Sequence, residues 1–123
     1  MPVIAFDHVN IRTAHLDAMV KWYGDILGLT TGPRPEFGFN GAWLYLGDHP
    51  VIHLVEVDTP PQAAGDVTLE HAAFRATDMD GFLATLKAQN VAHKASRLDS
   101  IGITQINIWD PDGNHIHVDF NDG

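Results

Sequence analysis

Eight histidines occur in a chain that holds only seven Lys and Arg. Neutral imidazole is a common metal ligand and suits Zn, Fe, Ni and Cu better than Mg or Ca. Four of the eight are spaced in a way that suggests a site. His8 and His71 are 63 residues apart, and His53 and His117 are 64 apart. A single His is weak evidence of a metal, but four at matching places in two halves of a chain point to a divalent cation. Chemistry at such a cation needs an open position, so three protein ligands plus water would serve as well as four. The chain has no Cys, which excludes a thiolate metal site, a disulfide framework and a Cys nucleophile. No phosphate-binding, dinucleotide-binding or Gly-x-Ser-x-Gly sequence is present.

The elements that must position these rings come as a repeat. Ala5-Phe6-Asp7-His8-Val9-Asn10-Ile11-Arg12-Thr13 and Thr68-Leu69-Glu70-His71-Ala72-Ala73-Phe74-Arg75-Ala76-Thr77 each read as a strand carrying a His, with Arg and Thr near its end. A helical pattern follows each. Leu16, Val20, Tyr23 and Leu27 share one face of a 3.6-residue period, and Gly28 can cap that helix in a left-handed conformation. Met79, Phe82, Leu83 and Leu86 do the same in the second half, where Thr77 can cap the helix start. Three strands then follow in each half, over 29–37, 41–47 and 50–57, and over 91–98, 101–109 and 114–120. Asp110-Pro111-Asp112-Gly113-Asn114 reads as a turn. The segment 59–65 is linker-like, so the chain divides into two βαβββ modules, about 1–58 and about 66–123, expected to share one core within a single domain.

Strand alternation assigns the faces. His8 shares a face with Phe6 and Asn10. Ile52 and Leu54 lie opposite His53, Ala72 and Phe74 opposite His71, and Ile116, Val118 and Phe120 opposite His117. In each case the aliphatic face is free to receive a helix, so His8, His53, His71 and His117 are expected on the other side of the sheets. Asp119 shares the face of His117 and is read as an orienting partner. His115 is a substitute ligand, and His15, His49 and His93 are read as surface residues. Trp43 and Tyr45 could wall an apolar pocket, Gln105 and Asn107 could orient a polar substrate group, and Arg34 could clamp a carboxylate or phosphate. No catalytic base or nucleophile is assigned.

At 123 residues, 45% hydrophobic and 19% charged, the sequence is ordinary for a globular domain. A net charge of −9 sets the surface against phosphate backbones and anionic lipid, so neither nucleic acid nor membrane is an expected partner. No apolar run approaches the roughly 20 residues that span a bilayer, and no export signal is read, so a cytoplasmic location is expected.

Several of these residues resemble one family. Asp7-His8-Val9, Trp22-Tyr23-Gly24-Asp25-Ile26-Leu27-Gly28-Leu29, Leu69-Glu70-His71-Ala72-Ala73-Phe74 and Asp110-Pro111-Asp112-Gly113-Asn114-His115-Ile116-His117 look like the vicinal oxygen chelate superfamily, which includes glyoxalases, bleomycin resistance proteins and extradiol dioxygenases. The resemblance covers nearly the whole chain. It implies an α+β fold in which two βαβββ modules pair curved mixed sheets into a cup, and a divalent metal (Zn, Fe, Ni or Mn) ligated at His8, His53, His71 and His117. It implies further a small vicinal-oxygen substrate, lyase/isomerase or dioxygenase chemistry, and a homodimer. The alternative it offers is a non-catalytic protein that sequesters a drug-like molecule. His117 departs from the pattern, which usually has Glu there. In glyoxalase I-like members a carboxylate also stands where His53 stands.

Overall fold

A computed structural model describes residues 2–63 and 65–121. Ala64, inside the linker-like segment, lies outside the described residues, as do Met1, Asp122 and Gly123. The chain separates into two units, Met1–Pro61 and Gln62–Gly123. Each is a four-stranded mixed sheet with one helix, so the architecture is α+β with the βαβββ order read from sequence. No helix among the described residues is long and apolar enough to cross a membrane.

The first unit contains β1 (Val9–Thr13), α1 (Leu16–Leu27), β2 (Thr30–Thr31), β3 (Gly41–Leu46) and β4 (His49–Glu56) in the order β1-β4-β3-β2. β1 and β4 run parallel, with Asn10 opposite His53, while β3 and β4 run antiparallel, with Trp43 opposite His53. Leu44, Ile52 and Leu54 form the buried sheet face. Met19, Tyr23 and Ile26 are the buried side chains of α1. The sequence pattern placed the apolar stripe on Leu16, Val20, Tyr23 and Leu27. The buried line instead turns by about one residue, through Met19 and Ile26, and leaves Leu16, Val20 and Leu27 half-buried at its flanks. Gly28 ends the helix as expected, at φ 74°, with its N–H on Gly24 O and the Leu29 N–H on Tyr23 O.

The expected strand over 29–37 contracts to two residues. Pro33 and Pro35 have no N–H to give a ladder, so pairing stops before them. β1 likewise begins at Val9, leaving His8 one residue ahead of the strand.

The second unit contains β5 (His71–Ala76), α2 (Met79–Ala88), β6 (Lys94–Leu98), a single 3-10 turn (Asp99–Ile101), β7 (Ile103–Trp109) and β8 (His115–Asn121), in the order β5-β8-β7-β6. Ile106, Ile108, Ile116, Val118 and Phe120 are buried on one face, as is Leu86 of α2. The Phe82 ring sits 5.5 Å from that of Phe120. The helix cap is Asp78 rather than Thr77: its carboxylate accepts from the Gly81 N–H at 3.1 Å, one residue later than the capping-box reading allows. Residues 91–93 stay out of β6 because the Val91 N–H closes the helix end on Leu86 O. The Asp110–Asn114 turn is organised by a buried carboxylate. Asp110 accepts from the backbone N–H groups of Asp112 (3.0 Å) and Asn114 (2.9 Å) and from the Asn114 amide (2.8 Å).

Candidate metal centre

In both units the face turned away from the buried aliphatic side chains carries the histidines. In the first unit His53 is nine-tenths buried, whereas the His8 side chain is partly exposed. In the second, His117 is buried, His115 half-buried and His71 exposed.

Hydrogen bonds define which nitrogen each ring offers. His8 Nδ1 lies 2.6 Å from Asp7 Oδ2, His71 Nδ1 lies 2.7 Å from Glu70 Oε1, and His117 Nδ1 lies 2.6 Å from Asp119 Oδ1. An ionised carboxylate only accepts, so each Nδ1 must carry the hydrogen. In the neutral ring that leaves the Nε2 lone pair available, the arrangement in which a carboxylate orients a metal-binding histidine. His53 reaches the same state with a different partner. Its ring bonds to the Pro50 backbone, and its Nε2 is buried with no hydrogen-bond partner. Burial, then the neighbouring His8, pulls the His53 pKa below the ordinary value and favours the neutral, ligating form. His8 first, and to a smaller degree His49 and the other imidazoles nearby, hold the Asp7 carboxyl below its usual range, and His71 and His115 do the same for Glu70.

Ring orientation separates the two units. His8 and His53 stack with centroids 3.7 Å apart and planes 10° from parallel, and Trp43 continues the stack at 4.0 Å from His53. A lone pair lies in its ring plane, and planes so nearly parallel meet roughly 20 Å away. As placed, this pair does not aim at one cation. The rings of His71 and His117, 4.4 Å apart and tilted by 44°, have planes that cross close by. Glu70, His71 and His115 can each bring one ligand atom within 4.8 Å of the others. His115 uses both nitrogens in hydrogen bonds, Nδ1 with Glu70 at 3.0 Å and Nε2 with Asn107 Oδ1 at 2.9 Å.

The residues read as substrate contacts fall in different places. Arg34 and Trp43 line a cavity of about 200 Å³ with Asn10, Phe37, Phe39 and His53. Tyr45 stands outside it, with its hydroxyl donating to Pro33 O at 2.5 Å. Asn107 gives its amide N–H groups to Lys94 O and Ser96 Oγ. Gln105 lies opposite Asp119 on the same face. His49 holds the Asp7 carbonyl at 2.8 Å, and His93 holds Val91 O at 3.1 Å.

Two features escaped the sequence reading. Phe37 falls at the end of the expected 29–37 strand and Phe39 just beyond it, yet they form a stacked pair with centroids 5.3 Å apart in the cavity wall. Asp7 and Glu70 carry no role in the sequence pattern beyond preceding His8 and His71. A carboxylate immediately before a His at the mouth of a strand was the available signal.

A family model for the Glyoxalase/Bleomycin resistance protein/Dioxygenase superfamily matches residues 5–118. No curated protein matches the sequence. Among solved structures, a glyoxylase/bleomycin resistance protein/dioxygenase domain from Frankia sp. EAN1pec superposes with a TM-score of 0.79 at 20% identity, over 97% of this chain and 93% of that one. Lactoylglutathione lyase from Agrobacterium tumefaciens gives 0.71 at 19% identity, over 98% and 96%. The fosfomycin resistance protein FosX from Listeria monocytogenes gives 0.76 at 14% identity, over 97% and 94%. At these identities the likeness is one of fold.

Proposed function

We propose, for a chain that belongs to the Glyoxalase/Bleomycin resistance protein/Dioxygenase superfamily, a cytoplasmic metal-dependent enzyme that chelates a small substrate through neighbouring oxygens. The proposed metal ligands are His8, His53, His71 and His117, and ligation by His8 and His53 requires their stacked rings to turn. One observation carries the reading: three of these rings have Nδ1 fixed by a carboxylate, and the fourth has a buried Nε2 with no partner. An unpaired buried nitrogen costs about 1–3 kcal/mol, a penalty that ligation would remove. Imidazole donors without thiolate suit Zn, Fe or Ni, with Mn less favoured.

A divalent ion held there would act as a Lewis acid on the two substrate oxygens and stabilise developing negative charge. The protein's part is orientation. Asp7, Glu70 and Asp119 fix the ring positions of His8, His71 and His117 and, in the neutral ring, hold the hydrogen on Nδ1 so that Nε2 faces the ion. His53 is held in the neutral form chiefly by burial, which leaves its Nε2 lone pair free for the ion. Lyase/isomerase chemistry, as the name of the Agrobacterium tumefaciens neighbour suggests, is compatible with a redox-inert metal, and oxygenation would require iron. We place two copies in the working assembly, because Val3, Ile4 and Phe6 of the first unit are 74–96% exposed, apolar side chains that a second copy would cover.

Elemental analysis of the purified protein tests the reading. Bound transition metal is expected, with clear loss in His8→Ala and His71→Ala. Full metal content in both variants would refute it, and a metal-free wild-type protein that refuses added Zn, Ni, Mn and Fe would turn the assignment toward sequestration.

A further inference from the structure

The first unit contains a charge that its own residues leave unmatched. Sixteen Asp and Glu face seven Lys and Arg in this chain, yet no carboxylate among the described residues pairs with Arg34. Its guanidinium donates to the Phe39 carbonyl at 3.0 Å and lies over two aromatic faces, 5.0 Å from the Phe37 centroid and 5.4 Å from that of Phe39. These contacts hold the side chain in place while using one of its five N–H donors. Gly41 permits the posture: a Cβ there would come within 2.9 Å of the guanidinium and would collide with the Leu54 carbonyl.

The cavity beneath it has flat walls. Phe37 and Phe39 stack at 13° from parallel, and Trp43 lies 6.2 Å from Phe37. Leu54 and Val55 line the rest, with Asn10 and His53 as further polar groups. Its volume of about 200 Å³ falls below the roughly 300–1,000 Å³ that take drug-sized ligands. The space therefore suits a single ring with one short substituent.

We infer that this cavity binds a small aromatic carboxylate, with Arg34 on the carboxylate and the Phe37, Phe39 and Trp43 faces around the ring. A preorganised fork matches two carboxylate oxygens, and aromatic faces discriminate for a flat ring over a puckered one. The inference deepens the small-molecule reading above by naming a substrate class, and it does not depend on a metal.

The test is titration of the full-length, chelator-treated protein with benzoate, followed by amide chemical shifts. Acetate, benzyl alcohol, cyclohexanecarboxylate and inorganic phosphate are the comparison probes. Benzoate is expected to bind at least tenfold tighter than each of them, with shifts centred on residues 34–43 and 53–55. Arg34→Gln should weaken benzoate at least tenfold and leave benzyl alcohol unchanged, as expected for loss of a charged hydrogen bond. Phe37→Leu, which keeps the charge, should weaken benzoate and spare acetate. Benzoate no tighter than acetate, phosphate competing equally, or an unaltered Arg34→Gln would each overturn the inference. Metal loss in the histidine variants is read separately, so the two proposals fail independently.

Discussion

Replacing Asp119 by Asn should weaken metal binding more than the equivalent changes Asp7→Asn and Glu70→Gln. All three carboxylates sit 2.6–2.7 Å from a histidine Nδ1. They differ in how much water surrounds the pair. The His117 and Asp119 side chains are 8% and 23% exposed, against 37% and 67% for His8 and Asp7 and 41% and 62% for His71 and Glu70. Each variant keeps a side-chain oxygen but loses the negative charge, which solvent already screens at the exposed pairs and screens far less at the more buried one. Loss of a carboxylate behind a metal-binding histidine costs about 10–100-fold in affinity. Asp119→Asn is placed at the hundredfold end, about 2.7 kcal/mol, and the two exposed variants near tenfold. Competition with a chromophoric chelator for Zn²⁺ measures the affinities, with Lys21→Gln as a surface control and a thermal melt to confirm folding. Unchanged affinity in all three variants, or the reverse ranking in well-folded proteins, would refute the orientation argument.

Asp110→Ala should destabilise the protein by about 2–4 kcal/mol, since it strands the two backbone N–H groups that the buried carboxylate receives; the shift in urea midpoint measures it. The folded pKa of His53 lies below its ordinary value of 6.5, chiefly through burial, so between those values the unfolded chain binds the proton and the folded chain does not. Stability of the metal-free protein is expected to fall as pH drops below 6.5 and through the folded value, and His53→Phe should flatten that slope in urea titrations across the range.

The histidine faces were legible because strand alternation holds along the stretches of ladder that carry His53 and His117. Ile52, Leu54, Ile116 and Val118 are buried opposite His53 and His117, as the period of two requires. The left-handed stop at Gly28 was legible for an equally local reason. What alternation hides is the behaviour just outside a strand. Asp7 and Glu70 precede β1 and β5, so neither is bound to point away from its neighbouring histidine, and each folds back onto it. The stacking of His8 on His53 depends on side-chain torsions that spacing does not encode. The Phe37–Phe39 wall was lost to an overlong strand, because two prolines remove the hydrogen bonds that the apolar pattern alone would grant.

Duplication gives several backbone addresses in this protein a twin. Trp43 faces His53 across one ladder, and 64 residues later Asn107 faces His117 across the other. One copy has spent this position on a ring, the other on an amide. An engineer can therefore transplant chemistry by arithmetic. Swapping Trp43 with Asn107 asks a known backbone to carry a side chain that its own duplicate already accommodates.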